Sequence, residues 1–296
     1  MPDRRDDRTD HGDRDGNSEA DSDRDVDDAL LARLAADVRD ADRVVVLTGA
    51  GVSAASGVPT FRGEDGIWGD EFDPDDFRYG RFRDDPAGFW RDRLALHDRM
   101  HGDGVEPNAA HRALAALEAA GVVDAVVTQN TDGLHRAAGS DPLELHGTAS
   151  RVECQRCGET ADAASARARV RAAIDDDAGS AADDAATDES RCVDPECPPT
   201  CEACGGVLKP AVVLFGEPLP RAVFADARRQ AAAADVFVAA GSSLTVEPAA
   251  SLPAECDGTL AVVNFDETRH DGRADYVFRD DVTAVLPALA AAVLDE

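Results

Sequence analysis

The run Val44-Val45-Val46-Leu47-Thr48-Gly49-Ala50-Gly51-Val52-Ser53-Ala54 switches within two residues from one periodicity to another. Its first five residues form a continuous apolar stretch of strand length, suited to a strand buried on both faces. Gly49 and Gly51 then allow positive φ and close backbone approach, and Ala54 takes the third place of a G-x-G-x-x-G/A pattern. Amides at such a strand-to-helix turn face a pyrophosphate well. By itself the spacing suits a tight turn without ligand too. A dinucleotide dehydrogenase carries an acid at the end of the next strand, about 20 residues on. Asp70 and Glu71 lie at that distance, but no strand pattern precedes them, which disfavours that class.

Outward from this run the chain alternates. Leu30, Leu31, Leu34 and Val38 mark an amphipathic helix before it. After it, Asn108 is a candidate N-cap for a helix through Leu114 and Leu117 that stops at Gly121. Strands are predicted at 122–128, 211–215, 235–240 and 260–265, and helices at 220–233 and 283–294. Apolar strands alternating with helices predict a Rossmann-type parallel α/β sheet with right-handed crossovers and ligands beyond the carboxyl ends of its strands. The expected organisation is a disordered acidic tail over 1–28, a large domain from 29–150 and 205–296, and a partly helical small-domain module at 63–105. A small zinc-binding module at 151–204, carrying an acidic insertion at 158–200, interrupts the large domain.

The chain of 296 residues carries 60 acids against 30 bases, a formal charge of −30, and Lys209 is its single lysine. Such self-repulsion is tolerable where salt shortens the Debye length to roughly 3 Å, so the composition predicts a very salty cytoplasm. No basic stripe is available for phosphates, which argues against direct nucleic-acid binding. Neither a span of roughly 20 apolar residues nor an apolar signal region is seen, so a cytoplasmic chain without membrane contact is expected.

Several segments concentrate reactive groups. Thr128-Gln129-Asn130-Thr131-Asp132-Gly133-Leu134-His135 follows a predicted strand; its amides and carboxylate could grip a carboxamide and ribose hydroxyls, or simply stitch a polar turn. His146, between Leu145 and Gly147, is a candidate general base, with an ordinary pKa near 6.5. Cys154-x-x-Cys157 and Cys201-x-x-Cys204 are two knuckles that together could hold one tetrahedral zinc, closed to catalysis because four protein ligands fill it. Cys192 and Cys197 fall between the pairs and could compete; Cys256 has no evident partner. Val212, Val213 and Phe215 suit either an exposed apolar wall or core packing, and Gly241-Ser242-Ser243-Leu244 offers a second phosphate or ribose turn.

In order along residues 28–292, these motifs, together with Ser56-Gly57-Val58-Pro59-Thr60-Phe61-Arg62, resemble the sirtuin family of NAD-dependent protein deacylases. The resemblance implies a protein-lysine deacetylase that yields nicotinamide, free lysine and 2′-O-acetyl-ADP-ribose. It implies His146 as general base, with Asn130 at the nicotinamide. Cofactor contacts would come from Gly49, Ala50, Gly51, Ser53, Thr60, Phe61, Arg62, Trp68, Gln129, Asp132, Gly241, Ser242, Ser243, Asn264 and Val282. Acyl-lysine of a protein partner would lie at Val213, Phe215, Gly216 and Leu244, on a monomer with one structural zinc. The same cofactor cleavage would also support mono-ADP-ribosyl transfer or removal of other acyl groups. Ala55, Thr131 and Lys209 depart from the family's usual Glu, Ile and Arg. Members that prefer succinyl or malonyl groups carry a Tyr-x-x-Arg pair, where this chain offers Arg93 and Leu96, so acetyl is expected over acidic acyl groups.

Overall fold

In the computed structural model the described residues are 26–60, 66–68, 71–102, 104–180 (backbone alone for 176–180) and 197–295. The expected tail therefore lies almost wholly outside them, as do Phe61, Arg62, Cys192 and the acidic stretch 181–196. In chain order the first elements are α1 (Asp28–Asp40), β1 (Val44–Thr48), α2 (Ala50–Ala54), α3 (Tyr79–Asp84), α4 (Pro86–Met100), α5 (Ala109–Ala119), β2 (Ala125–Thr128), α6 (Leu134–Ala138) and β3 (Leu143–Glu144). Then come β4 (Gly147–Cys154), β5 (Thr160–Asp162), α7 (Ala163–Ser180), β6 (Leu208–Val212), α8 (Arg221–Ala233), β7 (Val236–Ala240), β8 (Thr259–Val263), β9 (Tyr276–Phe278) and α9 (Val282–Leu294).

Six strands form a sheet in the order β3-β2-β1-β7-β8-β9, every pair parallel. The continuous apolar runs follow from burial on both faces. Val44 and Val46 pack with α1, α5 and α9, whereas Val45 and Leu47 face the opposite layer beneath α8. A three-stranded antiparallel sheet, β5-β4-β6, carries the second core with Phe77, Phe89 and Trp90.

Two expectations are corrected. The strand predicted at 211–215 is β6, Leu208–Val212, and it pairs with β4 in the small sheet rather than joining the parallel one. An apolar run says that a strand is buried but not which sheet it enters; here Gly147, at φ 72°, lets the two backbones meet, since a Cβ there would lie 2.1 Å from the Ala211 carbonyl oxygen. The acidic run starting at Asp175, read as a solvated insertion, begins inside helix α7. Among the described residues no helix is long and apolar enough to cross a membrane.

At the carboxyl ends of β1 and β7 the two glycine turns press together. Gly49 N–H donates to Ala240 O (3.1 Å) and Gly51 N–H to Gly241 O (2.8 Å). A Cβ on Gly241, at φ 60°, would lie 2.5 Å from the Val52 nitrogen. The glycines are thus required by turn-against-turn packing, apart from any ligand. Gly241→Ala should destabilise the chain by roughly 1–3 kcal/mol, the usual cost of overpacking, read as a lowered urea midpoint in molar KCl; an unchanged midpoint would show that this contact is slack.

Candidate active site

The turn after β2 supplies the centre of the cleft. Gln129 N–H donates to Thr48 O (2.9 Å) and its Oε1 accepts from Ser242 Oγ (2.6 Å), which ties the ends of β1, β2 and β7. Asn130 is buried; its Nδ2 donates to Gly49 O (2.9 Å) and Ser53 Oγ (3.1 Å). Ser53 Oγ in turn donates to Asp132 Oδ2 (2.7 Å), and Asp132 Oδ1 accepts from Leu134 N–H (2.9 Å). Ala50, Ser53, Val58, Pro59, Met100, Asn130, Thr131 and Asp132 enclose a small hollow. The glycine turn, Ser53, Asn130 and Asp132 therefore converge.

His146 occupies the step between β3 and β4. Its Nδ1 is 2.9 Å from the Gln129 carbonyl oxygen. A carbonyl only accepts, so Nδ1 carries the proton and Nε2 presents a lone pair. Burial pushes this imidazole below its ordinary pKa, partly opposed by the bond to Gln129, and the neutral form dominates at pH 7. Val213 N–H donates to His146 O (2.9 Å), which brings the predicted substrate wall beside the base. That wall is braced by Lys209, whose Nζ contacts Glu217 Oε2 (2.9 Å) and Val212 O (2.7 Å), while Leu214 N–H also donates to Glu217. Phe215 is 38% exposed and meets the Trp68 ring at 5.7 Å.

Other predicted contacts are placed less directly. Asn264 ends β8, with Nδ2 on Asp266 O (2.9 Å), and Ser243 Oγ lies 3.0 Å from Thr245 Oγ1. Thr60 O accepts from Ile67 N–H (3.1 Å), and Gly216 is exposed at φ 81°. Leu244 and Val282 have buried side chains, so they can offer a ligand backbone only.

A polar layer under the hollow was missed by sequence reasoning. Thr48 Oγ1 donates to Thr128 Oγ1 (2.9 Å) and lies 2.9 Å from His135 Nε2, while Thr128 Oγ1 also accepts from Asn130 N–H (3.0 Å). His111, held by Asn108 Oδ1 at 3.0 Å, reaches Ser53 Oγ at 3.4 Å. The available signal was the threonine closing each of two otherwise apolar strands.

Away from the cleft, Cys154, Cys157, Cys201 and Cys204 gather with all four sulfurs within 4.8 Å of one another. The contacts of 3.4 Å (154–204), 3.5 Å (157–204) and 3.8 Å (157–201) are close to the edge of about 3.8 Å that a tetrahedron of Zn–S bonds near 2.3 Å would have. Gly206 permits the approach, since a Cβ there would lie 2.8 Å from Cys154 Sγ. The donor set fits one structural zinc. Cys197 is buried elsewhere, its Sγ 3.6 Å from Ala87 O, and does not compete.

The profile of the Sir2 family matches residues 49–248, which takes in both glycine turns, the Gln129–Asp132 turn, His146 and the four cysteines. The chain belongs to the Sir2 family. It is 51% identical over 270 residues to an NAD-dependent protein deacetylase of Haloarcula marismortui, covering 90% of this chain and 95% of the relative. An NAD-dependent protein deacylase of Aeropyrum pernix is 41% identical over 253 residues, 84% and 90% of the two chains. Among solved structures, a complex of a Sir2 homologue with NAD superposes with a TM-score of 0.71 at 34% identity, covering 89% of this chain and 93% of that one.

For this Sir2-family chain the metal reading is directly measurable. Protein purified without chelator should contain one zinc per chain, and Cys201→Ser should contain almost none and melt at a lower temperature. Metal-free wild type of undiminished stability would remove the structural zinc.

Proposed function

We propose that the chain is an NAD-dependent protein-lysine deacetylase, converting acetyl-lysine on a protein partner to free lysine with release of nicotinamide and 2′-O-acetyl-ADP-ribose. The observation that carries this reading is His146, fixed by Gln129, the residue next to Asn130, as the Nδ1–H tautomer with Nε2 free of any bond to a described residue. Relatives named as deacetylases and a similar structure of a Sir2 homologue in complex with 2′-O-acetyl ADP ribose, at a TM-score of 0.70 and 34% identity, support it.

The residues present fit the dinucleotide. Asn130 Oδ1 accepts nothing from a described residue, and Asp132 beside it offers a carboxylate toward the same hollow. Asn130 and Asp132 would hold the nicotinamide riboside end, Gly49–Gly51 and Gly241–Ser243 the phosphates, and Asn264 the far ribose. Bound NAD supplies an electrophilic ribose carbon as nicotinamide departs. Asp132 and the amide of Asn130 stabilise positive charge developing in a site screened from water. His146 takes a proton at Nε2 from a hydroxyl presented in the cleft. Val213 and Phe215 form an apolar wall that accepts a neutral amide and penalises an unacylated ammonium, whose desolvation nothing there offsets. The charge of −30 suits work in concentrated salt.

In molar KCl, with acetyl-lysine peptide and NAD, wild type should deacetylate, and His146→Ala should lose about 10²–10⁴-fold in turnover with an unchanged far-ultraviolet spectrum. Transfer of label from NAD to protein without deacetylation would favour ADP-ribosyl transfer instead. Because the base works deprotonated and its pKa is lowered, the acidic limb of kcat/KM should fall below pH 6.5. A limb above that value would show that His146 is not held as described.

A further inference from the structure

The single lysine of this chain, Lys209, sits where a charge is least expected, 5% exposed on β6 with only apolar residues beside it in the strand. Ion pairs such as Arg78–Asp75 and Arg171–Asp98 lie open to water, whereas the side chains of Lys209 and Glu217 are 6% and 22% exposed. Attraction within a buried pair does little more than offset its desolvation. What the pair holds in place is therefore its more informative property.

Glu217 closes the loop that carries the apolar wall. Its Oε2 accepts from Leu214 N–H (2.9 Å) as well as from Lys209 Nζ (2.9 Å), and its own N–H donates to Leu214 O (2.9 Å). Gly216, at φ 81°, supplies the left-handed residue at the third place of that turn. Lys209 Nζ also donates to Val212 O (2.7 Å), at the end of β6. An ammonium carries three donors on one atom, so it can serve both acceptors. The two feet of the loop, Val212 and Glu217, are thus tied to one nitrogen.

Between those feet Leu214 is buried in the second core, while Val213 and Phe215 stay outside it. Val213 N–H donates to His146 O (2.9 Å). Phe215 is held on its other side by the chain before α3: its N–H donates to Phe77 O (3.2 Å), and Tyr79 N–H donates to Phe215 O (3.0 Å). Removing the ammonium leaves the Val212 carbonyl and the Glu217 carboxylate short of a donor in a site closed to most water. The carboxylate then gains by turning to solvent, and that movement releases Leu214 N–H. The wall would keep its side chains but lose its fixed distance from the base.

We propose that Lys209 and Glu217 are positioning residues for the acyl-lysine: their pair sets the distance between the wall at Val213 and Phe215 and the base His146, and so how tightly the acylated peptide binds. This rests on the deacetylase reading above. A wall that grips the neutral amide equally before and during reaction affects KM for the peptide rather than kcat.

The test compares wild type, Lys209→Met, Lys209→Arg and Glu217→Gln in molar KCl, with kcat and both KM values taken on acetyl-lysine peptide and NAD. Lys209→Met should raise the peptide KM about tenfold or more, while kcat and the KM for NAD stay within about threefold. A residue serving stability alone would lower the folded fraction, and with it kcat, without separating the two substrates. Lys209→Arg, which keeps the charge and the donors, should recover most of the loss. Glu217→Gln retains an acceptor for Leu214 N–H and should raise the peptide KM about threefold or more; it decides the matter if Lys209→Met does not fold. A peptide KM unmoved in both Lys209→Met and Glu217→Gln, a loss confined to kcat, or an equal rise in the KM for NAD overturns the positioning role. Wild type inactive on the peptide would overturn the deacetylase reading instead. Crystal structures would then decide the pair: a Val213 N–H drawn away from His146 O in Lys209→Met supports it, and an unchanged bond overturns it.

Discussion

Three hydrogen bonds meet at Gln129, and the cleft is in register because of them. Its amide holds the end of β1, its side chain holds the turn after β7, and its carbonyl holds His146. Each bond contributes only about 0.5–1.5 kcal/mol net. Their effect is geometric: a single residue fixes the separation of three strand ends and the tautomer of the imidazole between two sheets. The glycine turns complete the constraint from the other side, because Gly51 and Gly241 approach too closely for any side chain between them.

Beneath the cleft the polar layer fixes protonation as well as position. Thr48 gives its hydroxyl proton to Thr128, so it can only accept from His135, whose Nε2 must then carry the proton. His135 Nδ1 is left buried without a partner, and burial, reinforced by His111, holds this imidazole near a pKa of 3. The unfavourable group is tolerated where it keeps Thr128 oriented toward the Asn130 amide. This arrangement admits few alternatives, which suits a floor that must hold Asn130 still.

Much of this was legible in the chain. The Val44–Thr48 run gave a strand of that span because burial on both faces removes alternation, and Asn108 caps α5 as its position suggested. The two cysteine pairs named their ligand set because thiolates at a two-residue spacing have few other uses, and the four sulfurs do converge. What stayed hidden was relational. Nothing local in Leu208–Val212 says that it pairs with β4. The helix Ala163–Ser180 was hidden by its alanine content and by the acidic run that starts at Asp175, which resemble a solvated linker until Ala166, Val170 and Ala173 are seen in the core.

The position of His146 follows from topology more than from its neighbours in sequence. β3 ends at Glu144 as the outer strand of the parallel sheet, and β4 begins at Gly147 in the antiparallel one, so the chain crosses between sheets in two residues. Leu145 anchors that crossing, buried with its N–H on the Thr128 carbonyl (2.9 Å). Gly147 then bends, at a φ open to glycine, into contact with β6. The base is therefore held by the large sheet through Gln129 and by the small sheet through Val213, and any shift of one sheet against the other must move the imidazole. The zinc cluster sits at the far end of β4, in the strand that leads away from His146, and Lys209 to Glu217 closes the wall opposite. A metal held by those four cysteines would have no part in the chemistry yet would act on it at a distance, by bracing the sheet from which the base and the apolar wall are both hung.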